Sequence, residues 1–151
     1  VNKFEKNKKF LKRYLPYSRQ LNRLEEKLYQ LDSRIESTHS ANITGQPGGG
    51  LRKELSDDLS KREQLENRIN DLVEESNPIK MEILKAIDHL DNPNEANVLE
   101  MFFIEDIKLA AVSEQLSYSF RQTTRFYSQG VNHISALKWH TSDKPMSLSK
   151  T

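Results

Sequence analysis

Residues 106–134 read DIKLAAVSEQLSYSFRQTTRFYSQGVNHI, and this stretch decides the fold. Ile107, Ala111, Val112 and Leu116 recur at helical spacing, so they share one side of a short helix. Ser117, Tyr118 and Ser119 break the period. The Ser119 hydroxyl then stands where a new helix needs an acceptor for its first free N–H groups. Thr123, Phe126 or Tyr127, Gly130, Ile134 and Leu137 step at three or four residues along a second, longer helix. Two helices joined by so tight a turn have the outline of a helix-turn-helix. The seam leaves Arg121, Gln122, Thr124, Arg125 and Ser128 mostly on the other side, and these residue types read base edges and hold phosphates.

Upstream, Phe10, Tyr14, Tyr17, Leu21, Leu24, Leu28, Leu31 and Ile35 alternate steps of four and three, the a/d stripe of a coiled coil. Pro16 interrupts it and predicts a kink or a fresh start, so the helix is expected over 17–36. Residues 37–50 read as a Gly-rich loop. That loop lacks the Gly-Lys-Ser/Thr ending of a phosphate-binding loop and no strand precedes it. A looser stripe of Leu51, Leu55, Leu59, Leu65, Ile69 and Leu72 follows, broken by Arg62. Two stripes joined by a flexible loop predict an antiparallel hairpin, and Leu21, Leu24, Leu28, Leu31 and Ile35 also offer a seam for a homodimer. Asn77-Pro78 reads as the start of a helix or a bend, and Ile79, Ile83, Ala86, Ile87 and Leu90 follow at helical spacing. Asp91-Asn92-Pro93-Asn94 stops that helix and caps the next, which carries Ala96, Val98, Leu99, Phe102 and Phe103. The predicted fold is therefore all-α: a basic coiled-coil arm over 1–76, a helix-turn-helix domain over 77–139 and a disordered tail over 140–151.

Composition narrows the classes. The chain has no cysteine, which excludes disulfides and thiolate metal sites, and no apolar run long enough to span a membrane or to serve as a secretory signal. The expectation is a cytoplasmic protein. With 23 Lys and Arg against 22 Asp and Glu, charge is balanced overall but unevenly distributed. Residues 1–23 are strongly basic, whereas Asp91, Glu95, Glu100, Glu105, Asp106 and Glu114 make 91–114 acidic, a surface that must face away from phosphate or face a protein. The four histidines have no partner at metal-ligand spacing, and Asp57-Asp58 reads as a solvated run. No nucleophile context is present, so neither an enzyme nor a cofactor is expected.

The run from Val98 to Val131 resembles region four of bacterial sigma factors and the phage late-gene transcription regulators of the ArpU-like and RinA-like group. VLEMFFIEDI before the motif, V-S-E-Q-L in its first helix and Tyr118-Ser119-x-Arg121-Gln122-x-x-Arg125 at the head of the second carry the likeness. Upstream the Gly45-Gln46-Pro47-Gly48-Gly49-Gly50 loop and Asp91-Asn92-Pro93 extend it. Helix-turn-helix units usually have Ala in the first helix, Gly in the turn and a branched apolar residue in the second. Ser113, Ser117 and Thr123 stand at those places here, and Phe102 stands where relatives tend to have Arg.

The resemblance implies a sequence-specific DNA-binding regulator of phage or mobile-element origin. Double-stranded DNA is the expected partner, with Arg121, Gln122 and Arg125 reading bases and Lys108, Ser119, Thr124 and Ser128 holding phosphates. The bland alternative for the two arginines is an exposed face salt-bridged to Glu114 or Glu105. A different class of function is a protein-interaction module that binds RNA polymerase, a sigma factor or another regulator, which Phe102, Phe120, Phe126 and Tyr127 suggest.

Overall fold

Helical periodicity runs through most of the sequence, and the computed structural model is helical accordingly. It describes residues 2–42 and 49–135, with no strand among them, so the fold is all-α. The elements are α1 (Lys3–Leu11), a 3-10 turn (Lys12–Tyr14), α2 (Leu15–Asn42), α3 (Gly49–Asp88), α4 (Pro93–Leu99) continued by a π-helical turn (Glu100–Ile104), α5 (Leu109–Leu116) and α6 (Phe120–His133). Pro16 lies in the first turn of α2, where its missing N–H costs nothing, so the fresh start is found. Pro78 starts nothing: α3 runs through it without a break. The helix also reaches into the expected loop, since α2 continues to Asn42 and α3 begins at Gly49. The predicted tail and Leu137 lie outside the described residues.

The chain divides into two units, Val1–Ser18 with Ser76–Thr151, and Arg19–Glu75. This moves a boundary. The first residues were expected in a coiled-coil arm, yet Phe10, Leu11, Tyr14 and Leu15 are buried in one core with Ile83, Ala86, Ile87, Leu99, Phe103, Val131 and Ile134. The a/d spacing of Phe10 and Tyr14 is real, but it seats them on α3, α4 and α6 residues instead of a coiled-coil partner. A polar lock accompanies the apolar contact: the Asn7 side-chain amide is buried and donates to the Val131 and Ile134 carbonyls at 2.7 and 3.0 Å. These groups lie at the end of α6, where the last carbonyls have no partner within the helix. A second cluster, Val98, Val112 and Phe126, joins α4, α5 and α6.

In the other unit, Arg34 pairs with Asp58 and Arg62 with Asp32, so numbers rise on α2 as they fall on α3 and the two helices are antiparallel. Arg62, which broke the stripe on paper, faces α2 and makes this contact. Asp58 is likewise no part of a solvated run: it is buried and accepts a forked pair of bonds from Arg34, Nε to Oδ2 at 3.1 Å. The bond from Arg34 holds its carboxyl below the usual aspartate range, against the opposing effect of desolvation. Leu21, Leu24 and Leu31 are buried and Leu28 and Ile35 half-buried within the single chain. Much of the seam read as a dimer interface is thus covered within the single chain, with Leu28 and Ile35 partly open.

Two outcomes follow. Asn7→Ala strands two carbonyls at the end of α6 and is expected to lower unfolding stability by about 1–3 kcal/mol, read from urea denaturation. A carboxylate with a depressed pKa stabilises the fold above its unfolded value and loses that contribution as pH falls through the folded one. Asp58→Asn is therefore expected to be less stable than the parent at neutral pH. In thermal melts the two should converge well below the ordinary aspartate pKa of about 3.9.

Candidate nucleic-acid interface

α5 ends in a left-handed turn. Ser117 has φ 59° and ψ 38°, its N–H donates to the Glu114 carbonyl at 3.3 Å, and the Tyr118 N–H reaches the Ser113 carbonyl at 3.0 Å. This pair of bonds is the Schellman closure, which normally uses glycine at the left-handed position. Ser119 is extended, and its Oγ accepts from the Gln122 N–H at 3.0 Å, so it caps α6 as its position in the sequence suggests.

Two of the three polar residues standing where Ala, Gly and a branched apolar residue are usual, Ser113 and Thr123, fit for a common reason. Ser113 is buried and its hydroxyl donates to the Ala110 carbonyl at 2.6 Å. Thr123 is fully buried and its Oγ1 donates to the Ser119 carbonyl at 3.0 Å. Each hydroxyl is satisfied by its own helix backbone, so only the small apolar remainder meets the neighbouring helix.

The inward edge of α6 is set by Thr123, Phe126, Gly130 and Val131. A Cβ on Gly130 would stand 3.1 Å from Leu99 Cδ1 and 3.2 Å from Glu95 Cβ, so the lack of a side chain lets α4 approach. Beside it, Glu95 is buried and its Oε1 lies 2.8 Å from His133 Nδ1. This corrects the reading of Glu95 as surface charge: it ties α4 to the last turn of α6. Glu100 is half-buried, and burial, with Asp88 and Glu105 nearby, pushes its carboxyl up. Tyr127 packs on Phe103 with ring centroids 5.7 Å apart and on Phe102 at 5.1 Å, which places Phe102 and Tyr127 at the core.

The outward edge carries Arg121 and Arg125 on consecutive turns, both exposed, with Gln122 half-buried beside them. Neither arginine, nor the exposed Lys108 at the cap of α5, has an ion pair among the described residues; Glu105 and Glu114 do not engage them. Ser119 is exposed and Thr124 and Ser128 are half-buried. The Thr124 hydroxyl donates to the Phe120 carbonyl at 2.8 Å. Phe120 is 56% exposed and Tyr118 38%, the latter with its ring against Phe126 and its hydroxyl 3.1 Å from Asn94 Oδ1.

Sequence reasoning missed the company α6 keeps. α1 packs against it through Asn7 and through Phe4, whose ring lies 6.4 Å from that of Tyr127, so the exposed Lys3, Lys6 and Lys9 belong to the same unit as Arg121 and Arg125. The signal was present in Asn7, Phe10 and Leu11, too dense an inward edge for a solvated arm. Among the described residues no group of three His, Cys, Asp or Glu side chains could hold a metal. No helix there is long and apolar enough to cross a membrane. Neither a family model, nor a curated protein, nor a solved structure matches the chain.

Ser117→Gly removes the Cβ from a left-handed residue and is expected to raise stability by about 1 kcal/mol in urea denaturation. Ser117→Val should lower it, because a branched Cβ is least tolerated there.

Proposed function

We propose that the protein is a sequence-specific DNA-binding regulator of transcription, in which α5 and α6 act as a sigma region-four-like helix-turn-helix and α6 enters the major groove. The observation that supports this most is the pair Arg121 and Arg125, exposed on successive turns of α6 and without an ion pair among the described residues. A guanidinium can bond guanine bidentately, and the Gln122 amide can do the same with adenine. Ser119 uses its oxygen as the cap acceptor, and its proton remains to be given to a phosphate. Lys108 and Ser128 would add phosphate contacts, and Thr124 would have to exchange its donation to Phe120 for one to phosphate. On this reading the α2 and α3 pair is a coiled-coil hairpin, and the regulator is of phage or mobile-element origin, as the sequence resemblance implies. Homodimerisation belongs to the same proposal and would fall to exposed side chains outside the largely covered seam, such as Tyr29 and Leu59.

Phe120 favours a second reading. An aromatic ring 56% exposed at the head of α6 suits a desolvated protein contact better than a phosphate, and RNA polymerase, a sigma factor or another regulator would then be the partner. The two readings separate in one experiment. After selection of a bound site from random duplexes, Arg121→Ala with Arg125→Ala is expected to weaken binding to that site about a hundredfold, since each bidentate contact contributes about 1–3 kcal/mol of discrimination. Helicity and sedimentation should stay as in the parent. Undiminished binding, or failure of any sequence to be selected, would remove the DNA reading, and loss of polymerase binding on Phe120→Ala would then establish the other.

A further inference from the structure

An open groove of about 500 Å³ lies within the antiparallel pair of α2 and α3. Its lining is one pattern written twice. α2 contributes KLYQLDSR from Lys27 to Arg34 and α3 contributes KREQLENR from Lys61 to Arg68, and in both the lining residues are the Lys, Gln, Leu and Arg. Their spacing of three, one and three residues marks a single helix face. The Asp32–Arg62 and Arg34–Asp58 contacts set the two octets side by side and antiparallel. All four cations are exposed, and no carboxylate among the described residues lines the groove. Two acids beside it are engaged, Asp58 by Arg34 and Glu26 by the Gln30 amide at 3.2 Å, while Glu54 also acts on Arg34.

We propose that this groove binds the phosphodiester backbone of duplex nucleic acid. Four cations lining one groove call for a polyanion, and one observation favours phosphate over an acidic helix. A helix docked in a groove is held by an apolar stripe, yet Leu31 is only 9% exposed and Leu65 is half-buried, so the floor has little apolar surface left to cover. Lys and Arg seven residues apart are separated by about 10 Å along each helix. A strand rising 3.4 Å per nucleotide presents about three phosphates over that length. The Arg34 guanidinium is fixed by Asp58 while its side chain stays 58% exposed, so part of the ordering needed for binding is already done.

The inference requires no role for α6, and the test keeps the two apart. Full-length protein is titrated with a labelled duplex of mixed sequence between about 50 and 200 mM salt. K27Q/K61Q/R68Q, which leaves the Arg34 contact intact, is expected to bind about tenfold or more weakly, with a salt slope shallower by about 2.7, roughly 0.9 for each cation removed. The same three substitutions in the R121A/R125A background should reduce affinity by the same factor, since separate sites add. Should the triple variant fail to fold, amine acylation of the parent decides: duplex is expected to protect Lys27 and Lys61 and to leave Lys53 reactive. Unchanged affinity and slope in a folded triple variant, or equal reactivity of the three lysines with and without duplex, would overturn the proposal. Capture of a polyglutamate peptide in the groove without any such effect on duplex binding would overturn it in favour of an acidic protein partner.

Discussion

The covered edge of α6 is the constraint on which its unit depends. A helix that presents arginines outward must be held by what lies beneath it, and α6 is held along its whole length. Ser119 closes its first turn, Phe126 fills the space against Val98 and Val112, and Gly130 admits α4 to contact distance. Asn7 and Glu95 secure the last turn from two different helices. Burial supplies most of the stabilisation, at roughly 25 cal/mol per Å² of apolar surface, while the polar locks determine register. Nothing of comparable strength fixes the outward side chains of Arg121 and Arg125, which stay available for a ligand.

Much of this was legible in residues 92–134, because helix periodicity, the Ser119 cap and the Asn92 cap are local signals that tertiary contacts reinforce. The placement of the α6 seam on Thr123, Phe126 and Gly130 and the outward position of Arg121 and Arg125 could both be read from spacing alone. What could not be read were partners distant in sequence. Asn7 meets Val131 across most of the chain, and Glu95 meets His133, so a stripe assigned to an arm and an acid assigned to a surface both belong to one core. Pro78 starts no new helix, for a different reason. Proline breaks a helix only when packing does not offset the lost bond, and α3 passes through it beside the buried Ser76 and Ile83.

The antiparallel pair shows how a stripe's interruptions can be informative. Arg62 breaks the leucine period of α3, and Asp58 adjoins Asp57 in what looks like solvated charge. Both are the positions at which α3 meets α2, Arg62 with Asp32 and Asp58 with Arg34. Apolar contact alone would permit the two helices to slide by a turn. Two oppositely oriented Arg–Asp pairs fit only one register, since any slip would leave the buried Asp58 charge without its guanidinium.

Net charge is a poor guide to what such a chain attracts. At a formal +1 the protein has almost no long-range field, and at physiological salt any charge is screened beyond about 8 Å. Local distribution decides instead, and here several carboxylates are engaged within the fold. Glu95 is buried against His133, Asp58 is covered by Arg34, and Asp32 and Glu66 both meet Arg62. Arg121, Arg125 and Lys108 on one unit have no ion pair among the described residues, and on the other unit no carboxylate among them lines the groove between the repeated octets. A polyanion would feel these faces only on close approach, so encounter would be governed by fit and by the release of its counterions more than by steering from a distance.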